Sequence, residues 1–247
     1  MREKLRYLPS KLTGMRVANI QGISLVDTGL PSDMFNTAFG GDITDETARE
    51  VFSYYENNHE PMAWWIGPSS SSERTSKFLK DAGFVYDELD IGMVCDLTKV
   101  PDDHEPAKGL TIRRCKTPRE YTDFGQVLTA LSSPPDGQIE RFYRKIGTIS
   151  PKDREDLVLF IGYEGNTPVA TSCLFVTSVA GIYDIATQPE KRRRGYGSAM
   201  FYQALMAAKK MGLRKGVLQA SPDGLNIYKR FGFQETCRFT VWSNAIK

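Results

Sequence analysis

The chain has 247 residues, of which 40% are hydrophobic and 25% are charged, a composition typical of a globular protein with a core. It excludes disordered, collagen-like and coiled-coil proteins. The 32 lysines and arginines nearly balance the 30 aspartates and glutamates, so the formal net charge is only +2 and recognition of an anion has to be local. A length of 247 residues is long for one α/β domain and short for two.

The cysteines, the histidines and the apolar segments of the sequence indicate whether the protein binds a metal and in which compartment it lies. The four cysteines and two histidines form no CxxC pair and no Cys/His cluster, so we expect no metal site. The sequence begins without the apolar segment of a secretory signal, and no apolar stretch approaches the roughly 18–20 residues that span a bilayer. We therefore expect a cytoplasmic protein with reduced thiols and no contact with a membrane.

The first hundred residues contain three predicted elements. Apolar periodicity and end signals predict a helix over Asp45–Tyr55, a buried strand over Met62–Ile66 and a helix from Ser72 to Ala82. Tryptophans 64 and 65 belong to the strand, and at least one of them is expected in a core.

A linker is predicted over residues 101–109, which hold two prolines and several charges without apolar periodicity. It would separate an N-terminal domain of residues 1–100 from a C-terminal domain of residues 110–247. His104 lies in this linker and His59 in another polar stretch, so we interpret both as solvated loop residues rather than as catalytic bases.

The C-terminal domain has the predicted order β, α, α, β, β, β, α, β, α, β. A capping box formed by Thr117 and Glu120 begins its first helix, and turn residues 164–166 indicate a hairpin. The predicted bounds are Leu110–Arg113, a helix ending near Leu128, Gln138–Ile146, Leu157–Tyr163, Val169–Val176, Ile182–Thr187, Gly197–Met211, Val217–Ala220, a helix that Ser221-Pro222 begins and Gly232 ends, and Phe233–Trp242.

A basic loop with two glycines joins the strand Ile182–Thr187 to the helix Gly197–Met211. The first N–H groups of a helix have no intrahelical partner and lie at the positive end of its dipole. Gly195 and Gly197 lack a Cβ, which allows a ligand to approach the main chain, and Lys191–Arg194 add positive charge. Together these features predict a site for a diphosphate.

The spacing of Arg192, Gly195 and Gly197 fits neither the GxxxxGK[ST] loop of nucleotide hydrolases nor the GxGxxG fingerprint of dinucleotide-binding folds. It resembles motif A of the GCN5-related N-acetyltransferase (GNAT) superfamily, whose loop binds the pyrophosphate of acetyl-CoA. Residues 218–221, followed by Tyr228 and then Gly232-Phe233, resemble motif B of the same superfamily. The resemblance covers the whole of residues 110–247.

The resemblance implies an α/β (α+β) GNAT fold, with a central mixed, mostly antiparallel sheet flanked by helices. It also implies acetyl-CoA as the co-substrate, no metal, and direct attack of a primary amine in a ternary complex. Tyr228 stands where the family places the general acid for the thiolate, and the resemblance favours this role over the alternative of a packing residue beside Ile227 and Phe231. Asp184 is a candidate for the general base, and a water relay would serve as well.

The resemblance also implies the coenzyme contacts. The pantetheine arm would pair with the main chain just before the loop, and Ser221 stands where many members carry an asparagine, although a helix-capping role for it is equally open. The residues implied for coenzyme binding are Ile185, Ala186, Thr187, Arg192, Arg193, Arg194, Gly195, Tyr196, Gly197, Ser198 and Ser221.

The N-terminal hundred residues resemble a degenerate GNAT-like domain. Ser72 precedes Gly83-Phe84 by the same spacing that separates Ser221 from Gly232-Phe233. This half lacks the R-x-x-G-x-G pattern and carries Leu79 in the place of Tyr228, so we expect it to be inactive. We expect it to pack on the catalytic half and to form one wall of the acceptor pocket, with Trp64 or Trp65 as candidate contacts.

Two other functions remain open from the sequence. One is a non-catalytic protein that senses coenzyme A or an amine, and the other is a nucleic-acid-binding module suggested only by Lys191–Arg194. We expect a small-molecule or peptide amine as the acceptor, no nucleic-acid partner, and a monomer or homodimer.

Overall fold

A computed structural model describes residues 2–222 and 224–245. These residues form two compact units. The first comprises residues 2–92, 220–222 and 236–245, and the second comprises residues 93–219 and 224–235. The segment 101–109 falls inside the second unit and contains no helix or strand, and the predicted division of the chain at this segment stays a prediction.

The first unit is a small sheet with helices. Its strands occur in the order β1-β2-β3-β4-β11, in which only β3 and β4 are parallel. The elements are α1 (Arg2–Tyr7), β1 (Arg16–Ile20), β2 (Ile23–Asp27), β3 (Thr37–Phe39), α2 (Asp45–Asn57), β4 (Ala63–Ile66), α3 (Glu73–Ala82), the first part of β5 (Val85–Asp96) and most of β11 (Gln234–Ser243).

The core of the first unit lies between this sheet and the amphipathic helices α2 and α3. Trp64, Tyr55 and Leu79 are fully buried in it, and the rings of Trp64 and Phe84 meet edge to face at 5.4 Å. The two helices and the strand predicted for the first hundred residues are confirmed. They could be predicted because capping and apolar periodicity act over a few neighbouring residues.

The second unit contains a mixed, mostly antiparallel sheet, as predicted. Its strand order is β10-β9-β8-β7-β6, and only β9 and β10 are parallel. The elements are β6 (Leu110–Arg114), α4 (Pro118–Thr129), α5 (Gly137–Ile146), β7 (Leu157–Glu164), β8 (Thr167–Val176), β9 (Ala180–Thr187), α6 (Tyr196–Lys210), β10 (Lys215–Ala220) and α7 (Leu225–Arg230).

Local signals position most of these elements. The capping box is present, with Thr117 Oγ1 accepting from the N–H of Glu120 and the Glu120 side chain accepting from the N–H of Thr117. The β7–β8 hairpin turns at Gly165, whose φ of 61° lies in the left-handed region that favours glycine. Both α4 and α6 pack on strands β7, β8 and β9, which gives the predicted α/β fold class. No helix of residues 2–222 and 224–245 is long and apolar enough to cross a membrane.

The last helix begins later than predicted. Gly224 is the N-cap of α7, so Ser221-Pro222 does not begin this helix and Ser221 does not cap it. The physical reason is that a serine followed by a proline is a signal for turns as well as for helix starts. Ser72, in contrast, caps α3 by accepting a hydrogen bond of 3.0 Å from the N–H of Thr75.

The C-terminal ends of α3 and α7 are nevertheless alike. Gly83 and Gly232 both adopt positive φ, at 106° and 84°. The N–H of Phe84 donates to the carbonyl of Leu79 at 2.9 Å, and the N–H of Phe233 donates to the carbonyl of Tyr228 at 3.2 Å. Leu79 therefore occupies the same helix-end position as Tyr228, while the similarity of the two serines does not extend to the helix starts.

The two serines provide a matched test of the capping geometry. Ser72→Ala should lower the free energy of unfolding by about 1 kcal/mol, because it removes an N-cap acceptor. Ser221→Ala should change the free energy of unfolding by less than about 0.5 kcal/mol, as expected at an exposed position without a capping role. Urea unfolding of both variants measures this, and equal losses would contradict the difference between the two helix starts.

Candidate active site

The strands β9 and β10 separate soon after they begin. Within the described residues their register is limited to Ala180 with Gly216 and Gly181 with Val217. Among the described residues this register does not extend to Ile185–Thr187 at the end of β9, where an extended ligand could pair with the main chain. The predicted pantetheine contacts Ile185, Ala186 and Thr187 lie on this stretch.

A β-bulge interrupts β9 at Asp184. Thr171 of β8 pairs with Ala186 and Cys173 pairs with Tyr183, so β9 has one residue more than β8 over this interval. Asp184 has a φ of 54°, and the hydroxyl of Thr171 donates to its carbonyl at 2.8 Å. A non-glycine residue at positive φ costs free energy and is common at functional sites.

The side chain of Asp184 is held by a buried tyrosine. The hydroxyl of Tyr143 on α5 donates to Asp184 Oδ2 at 2.8 Å, and Tyr143 is only 2% exposed. Burial, followed by the nearby charge of Asp184, raises the pKa of Tyr143 well above its usual value, so the phenol remains a donor. No sequence signal identifies Tyr143, because it lies 41 residues before Asp184 on another element.

The basic loop presents a helix N-terminus without a side-chain cap. Gly195, the N-cap of α6, has a φ of 79°, and Arg193 has a φ of 62°. No acidic residue occupies the first turn of α6. A Cβ added at Gly197 would lie 3.5 Å from Thr187 Oγ1 and 3.8 Å from Ile227 Cδ1, which are ordinary van der Waals contacts, so an alanine would also fit here.

Part of the positive charge that Lys191–Arg194 give this loop is paired within the protein. Glu164, at the β7–β8 turn, lies 2.5 Å from Lys191 Nζ and 2.5 Å from Arg194 Nη2, and accepts from the Tyr196 hydroxyl at 2.9 Å. Hydrogen bonds from these three side chains lower the pKa of Glu164 to about 2. Tyr196 is thus buried, with its hydroxyl on Glu164 and its ring 5.0 Å from the guanidinium carbon of Arg194.

Arg230 is a site residue that the sequence analysis missed. Its Nη2 donates to Ser198 Oγ at 3.1 Å, which brings a cation from α7 to the first turn of α6. A cation is unfavourable at the positive end of a helix dipole unless an anion also binds there. Nothing in the spacing of Arg230 from the glycine loop indicates this contact.

Tyr228 lies in an aromatic cluster. It is 9% exposed, and its ring centroid is 4.8 Å from that of Phe201 and 6.5 Å from that of Phe233. A Cβ added at Gly224 would lie 2.6 Å from Tyr228 Cε2 and 3.0 Å from its Oη, so this glycine makes room for the phenol. The position accommodates both a packing role and a proton-donating role.

Several other candidates are located by the structure. His104 is half-buried, with its ring 4.9 Å from Tyr202 and 5.4 Å from Phe231, which corrects its interpretation as a solvated residue. His59 is exposed, as predicted.

Trp64 is completely buried, which removes it as a candidate acceptor contact, whereas Trp65 is half-buried. All four cysteines are free, and no three metal-ligating side chains converge in the part of the chain that the structure describes.

The ion pairs of Glu164 predict a pH-dependent contribution to stability. Because its folded pKa of about 2 lies below the ordinary 4.5, the pairing stabilises the folded chain above about pH 4.5 and is lost as the pH falls toward 2. Glu164→Gln should therefore lower the melting temperature at pH 7, and its difference from the wild type should shrink below about pH 4.5. Glu190→Gln, which removes an exposed charge from the same loop, is the control. A difference that is constant with pH would contradict the pairing.

Comparison with known proteins agrees with this geometry. Residues 126–233 match the sequence model of the acetyltransferase (GNAT) family. Comparison with curated protein sequences gives no match.

Solved structures with the same fold extend over nearly the whole chain. A GCN5-related N-acetyltransferase from Kribbella flavida has a TM-score of 0.67 and 14% identity, covering 99% of this chain and 95% of its own. One from Sphaerobacter thermophilus has a TM-score of 0.62 and 17% identity, with 92% and 81% covered. A tandem GNAT protein from the clavulanic acid biosynthesis pathway has a TM-score of 0.60 and 11% identity, with 90% and 77% covered. The match to the acetyltransferase (GNAT) family thus covers residues 126–233, less than half of the chain, and the chain has the fold of the GCN5-related N-acetyltransferases.

Proposed function

We propose that the protein transfers the acetyl group of acetyl-CoA to a primary amine, which attacks directly within a ternary complex. The observation that carries this proposal is the N-terminus of α6, which has no side-chain cap and follows the end of β9, beyond the two register pairs that β9 forms with β10. The family match supports the reaction class, because GNAT acetyltransferases act on amine acceptors.

The residues at the start of α6 suit the diphosphate of coenzyme A. The first-turn N–H groups of Tyr196, Gly197 and Ser198 have no intrahelical acceptors and would bind its oxygens. Arg192 and Arg193 are exposed and, unlike Lys191 and Arg194, are not paired with Glu164. Arg230 adds a third cation, and the main chain of residues 185–187 would bind the pantetheine arm. The exposed Ser221, at the end of β10, is retained as a coenzyme contact on the family resemblance alone.

Bound acetyl-CoA supplies the acetyl thioester. The protein then has to donate one proton to the departing thiolate and accept one from the attacking amine. Tyr228 Oη would donate a proton to the departing thiolate, since a phenol with a reference pKa near 10 is of comparable basicity to a thiolate. Its largely buried position on Phe201 would fix the direction of this donation.

Asp184 would accept the proton of the attacking amine, directly or through a water molecule. Tyr143 holds one carboxylate oxygen of Asp184, and the bulge together with Thr171 fixes its main chain. These contacts would restrict the rotation of the Asp184 carboxylate and hold it in one orientation.

The tandem protein from the clavulanic acid pathway favours a two-part interpretation of this chain as well. On this view residues 1–100 are a degenerate GNAT-like domain, since Leu79, fully buried, occupies the helix position of Tyr228 and has no proton to exchange. We propose residues 110–247 as the catalytic part, with 101–109 as the linker, in a cytoplasmic monomer or homodimer.

Gly195→Glu tests the diphosphate site against a matched control. The variant places a negative charge at the N-cap of α6 and should abolish binding of coenzyme A, measured by thermal shift. Gly212→Glu is the matched control, because Gly212 also has a positive φ, of 80°, and a side chain there causes the same backbone strain. Gly212 lies at the other end of α6, away from the loop. If both variants bind coenzyme A alike, the loop is not its binding site.

Tyr228→Phe tests the general acid. The variant should lower kcat for acetyl transfer roughly 10²–10³-fold and leave coenzyme A binding close to that of the wild type. Tyr202→Phe is the control, because it also removes a phenol hydroxyl, from a ring of α6 that stacks on Phe231, and it should keep full activity. Equal turnover of wild type and Tyr228→Phe would assign Tyr228 to packing, and a wild type that binds coenzyme A but acetylates no amine would favour the non-catalytic sensor.

A further inference from the structure

Gln219, near the end of β10, carries a polar group to which nothing above assigns a role. Its side chain is half-buried, and its Oε1 is buried and accepts no hydrogen bond from any described residue. Buried amide oxygens in folded proteins nearly always have a donor, which comes from the protein, from water or from a ligand. The place of Gln219 in the sheet of the second unit indicates which donor its oxygen meets.

The side chain of Gln219 lies on the face of the sheet that is turned away from α6. A Cβ added at Gly216 would lie 3.0 Å from Cζ of Phe233, whose ring centroid is 5.3 Å from that of Phe201 on α6. Side chains alternate between the two faces of a strand, so Gly216 is turned toward α6 and Gln219, three residues later, is turned away from it. The burial of β10 alternates in the same way.

Tyr183 on β9 is turned to the same face as Gln219. A Cβ added at Gly162 of β7 would lie 2.9 Å from Met200 Sδ of α6, and Gly162 pairs with Ala170 of β8. Ala170 is therefore turned toward α6, and Cys173, three residues further along β8, is turned away from it. Tyr183 pairs with Cys173 and therefore shares its face.

Asp184 belongs to this face as well. The hydroxyl of Thr171, which the same alternation turns away from α6, donates to the Asp184 carbonyl at 2.8 Å. The Asp184 carboxylate accepts from the hydroxyl of Tyr143 on α5, a helix that packs on α4. The proposed base and the orphaned amide oxygen of Gln219 therefore lie on one face of the sheet.

These residues lie where β9 and β10 diverge. Among the described residues the register between the two strands ends with Gly181 and Val217. In this register Gln219 and Tyr183 are counterparts, two residues beyond the last pair, and Asp184 follows Tyr183 directly. Gln219 on one strand and Asp184 on the other thus border the opening between the strands.

We propose that Gln219 Oε1 accepts a hydrogen bond from the attacking amine and thereby selects primary over secondary amines, an inference that rests on the proposed function. A neutral primary amine has two N–H groups, of which one would face Asp184 and the other Gln219. A secondary amine has a single N–H and would leave one of the two acceptors unpaired, which lowers its reactivity.

The contact leaves the balance of the proposed reaction unchanged. The lone pair of the amine forms the C–N bond as the C–S bond of the thioester breaks. Asp184 takes one proton from the nitrogen, directly or through a water molecule, and the thiolate takes the proton of Tyr228. Gln219 exchanges no proton, and the amide product keeps the N–H that Gln219 accepts.

Kinetics with a primary amine and its N-methyl derivative test the contact. Release of coenzyme A from acetyl-CoA is first followed with benzylamine, 1,5-diaminopentane, glucosamine and a dipeptide of alanine, and the best acceptor is compared with its N-methyl derivative. The wild type should prefer the primary amine in kcat/KM. Gln219→Met should reduce this preference about tenfold, because methionine has a similar size and no strong acceptor. Gln219→Glu, which keeps an acceptor oxygen, should keep the preference.

Lys215→Met is the matched control. Lys215 lies on the same face of β10, but it is exposed and begins the strand, so the variant should keep both kcat/KM and the preference. Thermal shift with coenzyme A should be the same for all variants. Circular dichroism verifies folding, and Gln219→Ala takes the place of Gln219→Met if that variant does not fold.

An unchanged preference in Gln219→Met would overturn the inference even if its activity falls, because a residue that only packs affects both amines alike. A wild type that acetylates both amines equally well would also overturn it. Both results leave the proposed function intact. A wild type that binds coenzyme A but acetylates none of the four amines would instead contradict the proposed function, and the role of Gln219 with it.

Discussion

The short pairing between β9 and β10 is the constraint on which the candidate active site depends. A helix that connects two parallel strands begins near the carboxyl end of the first strand. The start of α6 therefore lies close to the C-terminal part of β9, Ile185–Thr187, to which the β10 register of the described residues does not extend. Open main-chain groups of a strand and unpaired N–H groups of a helix thus occur together as a result of chain topology, and few particular side chains are needed to form a site for a long anionic ligand.

The side chains that complete the site come from distant parts of the second unit. Tyr143 of α5 orients Asp184, Glu164 of the β7–β8 turn holds two basic side chains of the loop, and Arg230 of α7 reaches Ser198. Each contact joins residues that are more than twenty positions apart. The side chains of the site therefore come from two helices and a hairpin turn, so the geometry of the site depends on how these elements pack in the second unit.

This distinction explains what could be predicted from the sequence. Capping boxes, apolar periodicity and hairpin turns act over a few residues, and the elements that they define, such as α4, α5 and the β7–β8 hairpin, lie where they were expected. The glycine loop was found because its spacing is also local. Ser221 was misinterpreted because a serine followed by proline begins turns as well as helices. The contacts of Glu164, Tyr143 and Arg230 join residues far apart in the chain, for which a single sequence carries no signal.

The pairing of Glu164 with Lys191 and Arg194 has a consequence for how the loop responds to its medium. A cluster of free arginines attracts anions through a long-range field, which dissolved ions screen. Here the single carboxylate of Glu164 offsets one of the four positive charges of Lys191–Arg194, while Arg192 and Arg193 remain exposed. The loop should therefore still attract anions from a distance in dilute buffer, but only an anion that reaches the start of α6 also gains hydrogen bonds from main-chain N–H groups, which salt screens less.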